Sequence, residues 1–163
     1  MSNFRIFPIP RSVAHRIREQ RLDDFGHRLS VSVATENDTG PCRSCLKVFV
    51  PGEGRLLFSY APNECDHPYN EIGPIYIHEK ECAPYANHET FPTELRTRRP
   101  LALRFYSDDG NMVGGELVGE RPVEEVIESS FENSEVRYLH ARTASVGCFI
   151  ARIERSIDQA NSG

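Results

Sequence analysis

Apolar and polar residues alternate with a period of two over several short stretches of the chain, and the longest run with a helical period lies near residue 125. Phe4–Ile9 reads as a short strand, followed by a helix capped by Ser12 and running to Arg21, with Val13 and Ile17 one turn apart. Val31–Ala34 alternates like a strand. Leu46–Val50 and Arg55–Tyr60 flank Pro51-Gly52-Glu53-Gly54 and predict a hairpin. Ile75–His78 is a further strand after Gly73-Pro74, and Phe91–Arg98 a short helix that Pro100 prevents from continuing. Leu101–Tyr106 and Met112–Val118 predict a second hairpin across Asp109-Gly110, with a bulge or bend at Gly114-Gly115. Pro122–Asn133 is the clearest helix: Glu124 and Glu125 lie in its first turn, and Val123, Val126, Ile127 and Phe131 share a face. Val136–Arg142 and Cys148–Glu154 form a last pair of strands. Short loops rather than helical crossovers join most strands, which predicts an α+β fold: one domain over residues 1–155, mainly antiparallel sheet with a few helices packed on it, and a flexible tail over 156–163.

Composition narrows the class. At 163 residues the chain matches a single domain able to bury one ordinary core, and 39% hydrophobic with 26% charged residues is a globular balance. The net charge of −5 argues against general nucleic-acid binding. It is uneven, since residues 1–30 carry six Arg against three acids and the remainder carries the negative surplus. No apolar run reaches the ~18 residues that a bilayer span requires. The opening Met1–Pro8 lacks the apolar stretch of a secretory signal, and five cysteines is an odd number, so a reducing, cytoplasmic setting is expected.

The cysteines hold the strongest chemical signal. Cys42-x2-Cys45 and His78-x3-Cys82 both have ligand spacing, and together they offer the three sulfurs and one imidazole that structural zinc takes tetrahedrally. Arg43, inside the first pair, can offset the surplus charge of three thiolates. Thirty-two residues separate the pairs, so they must meet through the sheet. Three alternatives stand beside zinc: thiols that simply pack in the core, His78 as a satisfied histidine at a strand end with Ile75 and Ile77 on the opposite face, and a ligand set that draws on Cys65 and His67. A thioredoxin-like role fits poorly, because a strand-like segment and Pro51 follow Cys45 where a helix is needed.

Several segments in order, Phe4–Pro10, Gly26-His27, Gly40-Pro41-Cys42-Arg43-x-Cys45-Leu46, Pro51-Gly52-Glu53, Phe58-x-Tyr60-x-Pro62, Gly73-Pro74-x-x-Ile77-His78-x-x-x-Cys82, Tyr138-x-His140-x-Arg142, Gly147-Cys148 and Arg155, resemble the bacterial domain of unknown function family 1203. The resemblance implies a compact single-domain bacterial protein. It singles out Cys42, Cys45, His78 and Cys82 rather than Cys65 and His67, and it implies no activity.

A second candidate lies near the C-terminus. If Arg142 pairs with Cys148 and His140 with Ile150, then Leu139, Ala141, Phe149, Ala151 and Ile153 face the core. Tyr138, His140, Arg142, Cys148, Ile150 and Arg152 share the opposite face, where Tyr138, His140, Arg142 and Arg152 form an anion-binding candidate, or else an ordinary solvated surface. Arg96, Arg98, Arg99 and Arg104 read as a solvated basic stretch, and Asp108-Asp109 as turn chemistry. Two function classes follow. One is a non-enzymatic binding or interaction module with a structural zinc, recognising an unidentified partner or a small acidic ligand. The other is a small hydrolase or thiol-dependent enzyme using Cys82 or Cys148 with a nearby His.

Overall fold

The computed structural model describes residues 2–38, 40–63, 65–97 and 100–156. Its elements run β1 (Phe4–Phe7), α1 (Arg11–Gln20), β2 (Val31–Val33), β3 (Gly54–Tyr60), β4 (Gly73–His78), α2 (Thr93–Arg96), β5 (Leu101–Tyr106), β6 (Met112–Val118), α3 (Val123–Ser130), β7 (Tyr138–Thr143) and β8 (Phe149–Arg155). The strands form two antiparallel sheets, β1-β8-β7-β5-β6 and β2-β3-β4, with short helices packed against them, an α+β arrangement. No helix among the described residues is long and apolar enough to cross a membrane.

Each sheet has its own core. One face of the five-stranded sheet presents Leu101, Leu103, Leu139, Ala141, Ala151 and Ile153 to α3, whose Val123, Val126 and Ile127 are buried, with Phe131 beside them. This is the face of α3 that the helical period predicts. Glu124, on its flank, accepts from the Phe91 amide and pairs with Arg96, which ties α2 to α3. The second core gathers Leu56, Phe58, Ile75 and Ile77 of the small sheet with Ala14 and Ile17 of α1, and takes in Cys42, Cys45 and Phe149.

Several local expectations are corrected. Helix α1 starts at Arg11 after Pro10, with no side-chain cap, so Ser12 lies inside its first turn. Residues 46–50 are not a strand, and β3 pairs with β2 and β4 instead. The reason is local: Leu46 takes a left-handed backbone (φ 58°), and the amides of Val48 and Val50 are donated to the Glu94 and Glu53 carboxylates rather than to a ladder. The β5–β6 hairpin forms as expected, with its register shift opposite Val113, next to Gly114. Of the expected second helix, Thr93–Arg96 is helical. Arg98, Arg99 and most of the expected tail, 157–163, lie outside the described residues, while the Ser156 amide donates to the Asn3 carbonyl.

The β7–β8 register also differs. His140 pairs with Arg152, and the register then shifts so that Arg142 faces Phe149. Ile150 is the extra residue of this bulge; it joins the first core, while Phe149 turns to the second. The polar face is not solvated, because Tyr138, His140 and Arg142 are 6%, 0% and 5% exposed.

Candidate metal centre

Cys42 and Cys45 lie on a tight knuckle closed by two backbone bonds, Leu46 N–H to the Cys42 carbonyl (2.8 Å) and Cys42 N–H to the Lys47 carbonyl (2.9 Å). The left-handed Leu46 makes that reversal possible. The knuckle docks along β4: Arg43 N–H donates to the Tyr76 carbonyl (2.9 Å) and His78 N–H to Cys42 Sγ (3.3 Å). His78 is the last residue of β4, and Cys82 follows on an irregular loop. The His-x3-Cys pair therefore meets across a turn and not on one face of a helix, as its spacing alone implies.

The Cys42, Cys45 and Cys82 sulfurs and an imidazole nitrogen of His78 all lie within 4.8 Å of one another. Cys42 Sγ and Cys82 Sγ are 3.8 Å apart, and Cys45 Sγ is 3.6 Å from His78 Nδ1. A tetrahedron with ~2.3 Å metal–sulfur and ~2.05 Å metal–nitrogen bonds has edges of about 3.8 Å between sulfurs and about 3.6 Å from sulfur to nitrogen. These two of the six distances match those edges and the rest lie within 4.8 Å, an arrangement compatible with a metal site.

The surroundings fit the same chemistry. With Nδ1 turned to the thiols, His78 Nε2 lies 2.9 Å from Glu53 Oε2, the carboxylate partner that metal-bound histidines usually have. Glu53 also accepts from Val50 N–H (2.8 Å), which fixes its position. The Val50 amide, opposed by burial and helped by His78, holds the Glu53 carboxyl below its ordinary range. Arg18 of α1 donates to the His78 carbonyl (3.0 Å) and to Cys82 Sγ (3.3 Å). Arg43 is buried with no carboxylate against it among the described residues, and it donates to the Pro41 and Phe149 carbonyls. Burial lowers its pKa to about 10, partly offset by Cys148 and Cys42, so it remains a cation at neutral pH beside the thiols.

Without a cation, His78, Cys45 and Cys82 depart from their ordinary ranges. Contacts with Cys42 and Cys82, opposed by burial and reinforced by Glu53, raise His78 to about 10. Contacts with Cys42 and Cys45, then with His78 and Arg18, hold Cys82 far below the usual thiol range, while neighbouring thiols and burial push Cys45 up. These directions favour a Cys82 thiolate beside a His78 imidazolium, with the proton kept on Cys45.

The remaining candidate residues are placed elsewhere. Cys65 is exposed and His67 lies near it, and neither joins the cluster. Cys148 borders a different cleft and, among the described residues, makes no hydrogen bond to a histidine. His140 is fully buried, with neither ring nitrogen partnered among the described residues, and burial with flanking arginines lowers its pKa to about 2. Tyr138 and Arg152 line one cleft, with the guanidinium 3.8 Å over the Tyr138 ring, while Arg142 lines another. Sequence reasoning missed Glu53 and Arg18 as supporting groups: Pro51-Gly52-Glu53-Gly54 carries the signature of a turn, and nothing local marks its carboxylate as a histidine partner.

Comparison with known proteins adds a family and no activity. No curated protein and no solved structure matches the chain. The model of a family described as "Protein of unknown function (DUF1203)" matches residues 39–155, a segment that contains all four clustered side chains and Glu53. The chain belongs to the DUF1203 family.

Proposed function

We propose that Cys42, Cys45, His78 and Cys82 hold a structural zinc ion, and that the protein is a binding module rather than an enzyme. The observation that carries this reading is the pair of tetrahedral edges, 3.8 Å between Cys42 and Cys82 sulfurs and 3.6 Å from Cys45 to His78. Three soft sulfurs and one imidazole favour zinc over harder divalent ions. Four protein ligands fill its tetrahedron and leave no position for a water or substrate. The centre joins the knuckle, the end of β4 and the loop after it, with α1 reaching in through Arg18, so zinc would staple the small sheet to its neighbours.

The enzyme alternative draws less support. Cys82 is taken up by the cluster, and Cys148 has no histidine partner among the described residues. The test is elemental analysis of protein purified without added metal or chelator, beside Cys45→Ser. About one zinc per chain, lost in the variant together with thermal stability, is the expected result. Metal-free protein with unchanged melting on addition of a chelator overturns the proposal.

A further inference from the structure

Arg104 of β5 and Arg142 of β7 stand on the polar face of the large sheet, around the buried ring of His140. Both reach the same oxygen: Glu71 Oε2 is bonded by Arg104 and lies 3.6 Å from an Arg142 nitrogen. Glu71 belongs to the irregular segment between β3 and β4, and its side chain is 54% exposed. Arg142, in contrast, is only 6% exposed at its side chain, and burial lowers its pKa. It donates to the Gly147 carbonyl (2.8 Å) and faces the Tyr106 hydroxyl, but among the described residues its Nε has no partner, and 3.6 Å is too long for a hydrogen bond to Glu71. A guanidinium so deeply buried is costly unless an anion bonds it directly. Here the anion at hand is a half-exposed side chain that is closer to a different arginine.

A cleft of about 560 Å³ opens at this point, with Glu71, Arg142, Gly147, Cys148, Tyr60 and Phe149 in its lining, and Arg104 lies behind that lining, bonded to Glu71. The two rings are 5.6 Å apart and form an apolar wall. The volume is that of a small-molecule site, and one buried charge beside an aromatic wall is the usual composition of such sites. We propose that this cleft binds a small organic carboxylate with an apolar or aromatic body, whose carboxylate takes the place of Glu71 on Arg104 and Arg142 while the body rests on Tyr60 and Phe149. Glu71 is then an internal competitor that occupies the arginine pair when no ligand is present. Arginine suits the role, since its planar fork meets carboxylate oxygens in pairs. His140 supplies packing and no charge, because its ring is neutral at ordinary pH. The site is distinct from the metal centre, and neither assignment depends on the other.

The test is a titration with benzoate followed by the amide and arginine Nε–H resonances, at constant ionic strength maintained with chloride. Acetate, inorganic phosphate and chloride alone serve as comparison arms. Benzoate is expected to shift the Arg142, Gly147 and Cys148 resonances saturably, with acetate weaker because it lacks the ring. Glu71→Gln, a change at a half-exposed side chain, keeps the fold and tightens benzoate about fivefold, the factor that one partly exposed ion pair contributes. Arg104→Gln abolishes the saturable shift while leaving the melting temperature and any bound metal in place. Absence of saturation in Glu71→Gln up to about 50 mM benzoate, well beyond the Kd of a useful small-ligand site, overturns the proposal. So does tighter binding of phosphate than of benzoate, or an equal response to chloride.

Discussion

Removing the Glu53 carboxylate should weaken zinc without touching a ligand. In Glu53→Ala the His78 Nε2–H loses its 2.9 Å acceptor, and Val50 N–H loses its 2.8 Å acceptor in the same stroke. The imidazole is then less basic and freer to turn, and loss of such a partner typically costs 10- to 100-fold in metal affinity, about 1.4–2.8 kcal/mol. Glu53 is 40% exposed, so water can replace part of what is lost. That places the expected effect near tenfold, at the lower end of the range. Glu53→Gln keeps a neutral acceptor for both N–H groups, so its loss should be about threefold. The assay is competition for zinc against a chromophoric chelator at neutral pH, with both variants and the parent measured side by side. Equal affinity in the parent and Glu53→Ala would refute the role of Nδ1 as ligand with Nε2–H held by the carboxylate. A loss as large in Glu53→Gln as in Glu53→Ala would show that charge matters and the hydrogen bond does not.

Zinc uptake at neutral pH should release at least two protons per ion, one from His78, whose pKa is raised to about 10, and one from Cys45, whose thiol is pushed up, with any proton that Cys42 carries released as well. Calorimetry in buffers of different ionisation enthalpy counts these protons. In the metal-free chain the raised His78 contributes stability that is fully present below pH ~6.5 and lost as the pH rises toward 10, whereas zinc affinity runs the other way and falls with acid. Asp23 provides an independent pH signature. Burial would raise its pKa, but the Ser59 and His27 amides, the His27 ring and the Phe25 amide outweigh burial and hold it at about 2. Its stabilising contribution is therefore complete above pH ~4 and disappears as pH falls toward 2, a window that acid denaturation of the parent and of Asp23→Asn resolves. Leu139→Ala, at a fully buried site between the large sheet and α3, should cost about 2–5 kcal/mol by denaturant unfolding, and a loss under ~1 kcal/mol would contradict the burial described for that face.

The legible parts of the chain were those governed by local periodicity. Helix α3 shows its buried face in Val123, Val126 and Ile127, and the β5–β6 hairpin shows its turn in Asp109-Gly110. The four metal-site residues were legible through ligand spacing, which states how side chains can meet but not by what path. Sequence could not show that the Val48 and Val50 amides would be taken by Glu94 and Glu53, because those partners are set by tertiary placement. This is why residues 46–50 looked like a strand. The β7–β8 bulge was hidden for a related reason: Ile150 and Phe149 are both apolar, so a one-residue insertion leaves the pattern equally hydrophobic on either side. The burial of Tyr138, His140 and Arg142 depends on a separate layer covering a face whose composition alone reads as solvated. Glu71 is linked to Arg104 across 33 positions, a separation at which no spacing rule operates.

X-ray absorption at the zinc edge, on protein carrying the metal it acquires during expression, tests the central claim most directly. The account predicts zinc, with a first shell of three sulfurs at about 2.3 Å and one nitrogen at about 2.0–2.1 Å, and one sulfur fewer in Cys82→Ser. A shell that contains an oxygen from water, a shell of sulfurs alone, or no zinc at all would contradict it.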